Sequence, residues 1–445
     1  MRKILAVIAM VLAATAVFYV QLQKTPAVVI DSSQSFGNER VLKDPGITET
    51  KKPSEKEEKK EISHSHESVS LSMCQEITKP GSYTLAADLH ADGSACISIH
   101  DTHDVTLDCA HHRIRGDEGL RIHTVRTFSV ENCTIESTSL KAIMITDSSD
   151  GRIVRNTIGK YHTEVQNSSR LYINANQFKS TYAQYYTNDS EISNNEFDVT
   201  VDKSYTVLPG AIISAFGTRN IVASNIVDGH AGGDFSDQTG SDDGIVIAQE
   251  SGDKVHDNTL KNFFDCGIET TGVITNTDFA RNKISNAGYC GIGGWYGSSW
   301  IGNTVTGNTV DTTPMLFYFT RIYGLMPQGA DERHLMPEER AVYFKDNVFT
   351  KNVLRDAKKS ATVPSRSGVF NISLPDTLTS NGSHDVRPTQ EQMVTGNNRF
   401  KDNDFGTAMP LFIMPAPMVV DDGGNICTHD QIGFPLTCAP GARSI

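Results

Sequence analysis

Short stretches of the form apolar-x-apolar-x punctuate the chain: Ile97-Ser-Ile-His100, Leu120-Arg-Ile-His123, Ile143-Met-Ile-Thr146, Ile245-Val-Ile-Ala248, Ile268-Glu-Thr-Thr271 and Ile292-Gly-Gly-Trp295. Period-two alternation predicts strands whose first and third residues face inward and whose second and fourth face out. A glycine precedes several of them, at Gly119, Gly244, Gly267 and Gly291, where the chain must turn a tight corner. A second phrase, Asn-x-apolar, follows in the same rhythm: Asn156-Thr-Ile158, Asn176-Gln-Phe178, Asn195-Glu-Phe197, Asn225-Ile-Val227, Asn258-Thr-Leu260, Asn282-Lys-Ile284, Asn303-Thr-Val305 and Asn347-Val-Phe349. With Cys133 in the same register, the spacings from 133 to 303 are 23, 20, 19, 30, 33, 24 and 21 residues. That is the period of a solenoid adding one coil at a time, with the asparagines bonding backbone and one another at a corner.

The pattern divides the chain. Residues 1–30 open with Met1-Arg2-Lys3 and an apolar run over residues 4–20, the form of an export signal or, uncut, a membrane anchor or tether. Residues 31–70 are polar and charged, a linker unable to bury a core. Coils are expected over 71–311, a long loop or lid excursion over 312–344, and terminal coils with a C-terminal cap over 345–445. An exported chain with eight cysteines invites disulfides. One-coil spacing pairs Cys109 with Cys133 and Cys266 with Cys290, since neighbouring coils bring Cα atoms within about 5 Å; Cys74–Cys96 and Cys427–Cys438 complete the set. The alternative is a ladder of stacked free thiols. A net charge of −13 argues against nucleic acid as a partner.

Cys74-x-x-Ile-x-x-Pro80-Gly81-x-Tyr83-x-Leu85, then Asp88-Leu89, Cys96-Ile-x-Ile99, Val105-Thr-Leu-Asp-Cys109 and Ile114-Arg-Gly116 resemble the opening of right-handed parallel β-helix proteins. These form the pectate-lyase-like superfamily, NosD-like surface proteins included. The resemblance implies an all-β, single-stranded right-handed parallel β-helix, a fold that hosts lyases, hydrolases, epimerases and inert scaffolds.

Stacking turns the repeat into a map of a surface. Asp242-Asp243-Gly-Ile245, Asp265-Cys266-Gly-Ile268 and Tyr289-Cys290-Gly-Ile292 align, which predicts Asp242, Asp265 and Tyr289 in one column beside Asp243. Glu269 falls between Val246 and Gly293, and Trp295 follows Thr271 and Ala248. Glycoside hydrolysis needs one protonated and one ionised carboxyl, and crowded carboxyls hold a proton near neutral pH. Asp242, Asp243, Asp265 and Glu269 are therefore the candidate catalytic group on a polysaccharide, with Tyr289, Trp295 and Tyr296 as sugar platforms. The alternatives are a corner-capping role for the aspartates and a solvated surface charge for Glu269. The Asp242-Asp243 pair resembles that of polygalacturonase-type β-helix hydrolases, but Ala211-Ile-Ile-Ser214 lacks the third Asp and Asp265-Cys266-Gly267 has no His, which argues against a polygalacturonase proper.

A Ca²⁺-dependent lyase remains equally open, with Asp242, Asp243 and Asp265 as oxygen ligands and Tyr289, His256, Arg281 or Lys254 as base. His100 and His123, 23 residues apart, form a second column, and the resemblance to NosD-like proteins, linked to copper, makes it a candidate metal pair with no third ligand fixed. A non-catalytic glycan- or metal-binding surface protein, or a spacer, is the rival to all of these. Nucleotide-binding loops, zincin motifs and serine-hydrolase elbows are absent from the sequence.

Overall fold

In the computed structural model the chain divides into two units, Met1–Ser63 and His64–Ile445. The structure describes residues 68–199, 211–232, 240–319, 342–357, 368–372, 393–406, 412–413, 419–427, 436 and 439–440, all within the second unit. The export segment over 4–20 and residues 31–67 of the linker lie outside them, whereas Val69 and Ser70, expected in the linker, belong to the strand Val69–Leu71; among the described residues no helix is long and apolar enough to cross a membrane. Thirty-six described strands pair in parallel, coil upon coil, in one sheet wound into a solenoid, and Ile426–Cys427 and Ala439–Pro440 form a separate two-stranded pair. The right-handed parallel β-helix expected from the repeat is the fold.

One inward column shows why the alternating phrases form these strands. Ile97, Leu120, Ile143, Thr163, Tyr182, Ile213, Ile245, Ile268, Ile292 and Phe317 pair in succession, and all are buried. Each buried Ile or Phe side chain contributes about 1.5–3 kcal/mol, so the register is fixed by the core, because a one-residue slip would expose the whole column. Aromatic stacks extend the same principle at another corner, where Phe178 lies on Phe197 with ring centroids 4.4 Å apart.

The asparagines form two ladders where the spacing suggested one. In the first, Asn176 Oδ1 accepts the backbone N–H and the side-chain amide of Asn156 at 2.9 and 3.1 Å. The same pair of bonds recurs through Asn195, Asn225, Asn258, Asn282, Asn308, Asn352, Asn403 and Asn425. The residue before each rung turns the corner in the left-handed region, including Arg155, Ser224, Asp257, Arg281 and Lys351. That conformation is costly for side chains larger than glycine, and the ladder offsets it. Asn303, Asn347 and Asn398 belong to the second ladder at a different corner. Asn308 is thus the true successor of Asn282, and the 282-to-303 step crosses between ladders.

The excursion expected over 312–344 is also corrected. Met315–Phe319 is a coil strand, pairing Cys290 with Met315 and Ile292 with Phe317, and Val342–Lys345 is another. Met315, Leu316, Phe317 and Tyr318 are all buried, so both faces of this strand are covered and no alternation marks it. Residues 320–341 lie outside the described residues.

Three of the expected disulfides are present: Cys74–Cys96, Cys109–Cys133 and Cys266–Cys290, with Cα atoms 4.6, 4.8 and 4.6 Å apart. They mark an oxidising environment. Cys427–Cys438 is not testable, because Cys438 lies outside the described residues.

Candidate functional site

The acids converge as the column map required. The Asp265 N–H donates to the Asp242 carbonyl at 3.0 Å and the Tyr289 N–H to the Asp265 carbonyl at 2.9 Å, so Asp242, Asp265 and Tyr289 stack on successive coils. One position on, Asp243 stands level with Cys266 and Cys290. Its Oδ1 accepts the Cys266 N–H at 3.0 Å, which gives one oxygen the corner-capping role. Glu269 pairs between Val246 and Gly293 on the outer side of the strand Cys266–Thr275. It is outward-facing but buried, at 8% exposure, which removes the solvated-charge alternative.

Asp243 and Asp265 are equally enclosed, at 3% and 8% exposure, while Asp242 is half-buried. Burial raises all four pKa values. It pushes Asp242 up to about 6 and holds Asp265 well above the carboxylate range, with the Asp242 charge adding to it. Burial also raises Asp243, reinforced by Glu269, Asp265 and Asp242, against the single opposing bond from the Cys266 N–H. Glu269 is raised by burial and by Asp265 and Asp242, and a hydrogen bond with Asp243 partly offsets this. Among the described residues no cation acts on any of these carboxyls. Crowded without a counter-ion among the described residues, the acids hold protons to higher pH than free carboxyls do.

The aromatic expectations fare differently. Tyr289 is no open platform: it is 3% exposed and packs edge-on against Tyr318, centroids 4.5 Å apart, because the neighbouring coil covers it. Trp295 pairs through its backbone with Thr271, but its side chain and that of Tyr296 lie outside the described residues. His256, Lys254 and Arg281 sit elsewhere, on or beside the strand column Ile221–Ala223, Lys254–His256 and Asp278–Ala280. Arg281 grips Asp257 through two bonds of 2.8 and 2.7 Å, and His256 bonds the same carboxylate. Neither is aligned with the acids as a base. His100 and His123 stack as expected, with His100 bonded to Asp101 and His123 to Thr146.

Two features were missed. The Cys266–Cys290 disulfide was expected as a coil staple, but it also lies within the acid cluster: Cys266 Sγ and oxygens of Asp243 and Asp265 lie within 4.8 Å of one another. The second is Glu164, four rungs earlier in the outward column that runs Glu164, Ala183, Ser214, Val246, Glu269. It bonds Lys141 at 3.0 Å and His162 at 3.1 Å. Burial would raise its pKa, but these two partners pull it down to about 2. The same face therefore carries one neutralised and one proton-holding carboxyl group.

A family model described as periplasmic copper-binding protein (NosD) matches residues 105–317, the span that holds the regular coils and the acid cluster. By its structure the chain is a right-handed parallel β-helix protein, similar over those residues to that family. No curated protein matches this β-helix protein by sequence. Among solved structures it is similar to a mannuronic acid specific polysaccharide family 6 lyase from human gut microbiota, with 13% identity over 84% of this chain and 86% of that one, TM-score 0.48. A DFA-IIIase from Arthrobacter chlorophenolicus A6 matches at 13% identity over 52% of this chain and 67% of its own, TM-score 0.34. The Streptococcus pneumoniae surface protein and adhesin PfbA matches at 12% identity over 74% and 82%, TM-score 0.35. These likenesses concern the fold alone.

Proposed function

We propose that this β-helix protein is a carbohydrate-active enzyme that hydrolyses glycosidic bonds in a polysaccharide. The reading is carried by one observation: four carboxyls gathered on an outer face, three buried and Asp242 half-buried, without a cation acting on them among the described residues. Asp242, the most open and the first to ionise, with a pKa of about 6, is the base that takes a proton from the attacking water. Asp265, held protonated beside it, donates to the leaving oxygen. Asp243 and Glu269 share a hydrogen bond and hold the proton inventory of the pair.

A Ca²⁺-assisted lyase is the second reading, favoured by the approach of Asp243 and Asp265 oxygens to one point. These carboxylates would hold the ion, which would neutralise a substrate uronate. The donor set suits it in oxygen type; the Cys266 sulfur, being in a disulfide, adds no thiolate. Of the candidate bases only Tyr289 lies beside the acids, and it is 3% exposed and packed edge-on against Tyr318, away from an open substrate face, which favours hydrolysis.

A panel of polysaccharides incubated with the protein, with and without chelator, separates the readings. Hydrolysis gives new reducing ends without ultraviolet absorbance and is indifferent to chelator. Chelator-sensitive, ultraviolet-absorbing unsaturated products would replace it by the lyase. Binding to a glycan without any cleavage would leave the non-catalytic surface protein.

A further inference from the structure

Two outward columns run side by side from the acids toward the N-terminal coils. One passes from Glu269 through Val246, Ser214 and Ala183 to Glu164. The other passes from Thr271 through Ala248 to Phe216 and resumes from Tyr185 to Gln166; its halves meet where the Tyr185 ring stands edge-on to Phe216, centroids 5.2 Å apart. Both of these rings are half-buried, so each keeps part of its surface for a ligand, as Tyr289 does not. Four rungs put Glu164 about 19 Å from Glu269, a span of several sugar rings, and every described side chain of the two columns between them is uncharged. At the far end Glu164 is bonded by Lys141 at 3.0 Å, by His162 at 3.1 Å and by the Gln166 amide, so the Lys141 charge is already engaged. Burial raises the Tyr185 hydroxyl pKa and the nearby Glu164 charge adds to it, which places the ring beside that carboxylate.

We propose that this face selects an uncharged polysaccharide, laid along the coils with a sugar ring against Tyr185 and Phe216, and that Glu164 excludes uronates. The inference rests on the carbohydrate-active reading above and narrows its substrate class to neutral sugar polymers. A polyuronate in this position would set its carboxylates against Glu164 at one end and against the acid cluster at the other. No unpaired cation stands in either column among the described residues to neutralise them, and an unpaired carboxylate is costly to desolvate. A neutral ring meets no such cost. Its apolar face suits the aromatic pair, and its hydroxyls can bond the Gln166 amide and the Tyr185 hydroxyl.

The test measures binding by calorimetry and cleavage by product analysis, separately, on the full-length protein. Mannuronan, polygalacturonate and glucuronan are each compared with the same polymer after its carboxyls are reduced to alcohols, beside neutral glucans, mannans, galactans and xylans. At least one neutral polymer should bind, with little dependence on salt, and every uronate polymer should bind at least about 10-fold more weakly. Tyr185→Ala and Phe216→Ala should each weaken the neutral polymer about 3- to 10-fold. Glu164→Gln, which frees Lys141, should raise the affinity for uronate polymers about 10-fold and leave the neutral polymer within about 2-fold, a gain that a merely structural role for Glu164 would not produce. Tighter binding of a uronate polymer than of its reduced counterpart would overturn the proposal, even if that polymer were hydrolysed. So would binding of no neutral polymer, neutral binding that both alanine variants leave intact, or a Glu164→Gln variant, folded by circular dichroism, without the gain. Neutral binding with the expected responses but no cleavage would uphold the selection and remove only the hydrolase reading.

Discussion

Asp265→Asn should lower polysaccharide turnover by about 10³-fold and yet raise the melting temperature near pH 8. Both effects have one source. A carboxyl whose folded pKa lies above its unfolded value contributes stability that is fully present below the unfolded pKa and lost as pH rises through the folded one. Asp242, moved from 3.8 to about 6, costs up to about 3 kcal/mol once both forms are ionised, and Asp243, Asp265 and Glu269 are raised further by deeper burial. An amide does not titrate, so each substitution removes its share of this cost and with it the proton that the reaction needs. Asp243→Asn is the mildest structurally, since Oδ1 still accepts the Cys266 N–H and the amide can donate to Glu269. Thermal melts at several pH values, run beside turnover assays, check both halves. Full activity in the amide variants of Asp242, Asp265 and Glu269 would remove the site; lower stability at pH 8 would remove the charge-burial account.

The same cluster gives the wild type an unusual pH profile. Stability should rise as pH falls from about 8 towards 5, because the raised carboxyls take up protons that the unfolded chain does not yet bind. Below about 4 the sign reverses. Glu164, with its pKa lowered to about 2, contributes stability above its unfolded pKa and loses it as pH falls through the folded value. A maximum near pH 5 separates the two groups, and Glu269→Gln should flatten the alkaline limb while leaving the acid limb in place.

The coil and its columns were legible because their causes are local. Period-two alternation places Ile245, Ile268 and Ile292 inside whatever surrounds them, and the Asp-x-Gly-Ile and Tyr-Cys-Gly-Ile spacing then fixes what stands beside them. Burial was not legible. Glu269 and Tyr289 occupy outward positions, and whether an outward side chain meets water depends on neighbouring coils whose fit no spacing encodes. Glu164 escaped notice because its strand lacks the Gly-Ile opening: Thr163 and then Tyr182 take the isoleucine place in the core column. The two asparagine ladders were merged because both corners use the same Asn-x-apolar phrase for the same reason, an amide that can accept one rung and donate to the next. Only the hydrogen bonds distinguish them.

Asn258→Ala should cost about 3–5 kcal/mol and lower the melting temperature by several degrees, a large loss for one polar side chain. Asn258 is fully buried. Its Oδ1 accepts the Asn225 N–H and the Asn225 amide, both at 3.0 Å, while its own amide donates to the Val222 carbonyl at 2.8 Å and Asn282 Oδ1 at 2.9 Å. Alanine therefore orphans groups on both neighbouring coils at once, where no water can replace them. Asn258→Asp is the sharper probe, because it keeps the size and the acceptor oxygen but turns the donor into a second oxygen facing Val222 O and Asn282 Oδ1. It should destabilise about as much as alanine at neutral pH and recover partly in acid, where a protonated carboxyl can donate again. Because Asp257, just before it, is held in the left-handed region and bonded to Arg281, the corner cannot relax to admit solvent. Chemical denaturation of both variants measures the loss, and a cost below about 1 kcal/mol for either at neutral pH would mean that core packing alone holds the coils in register.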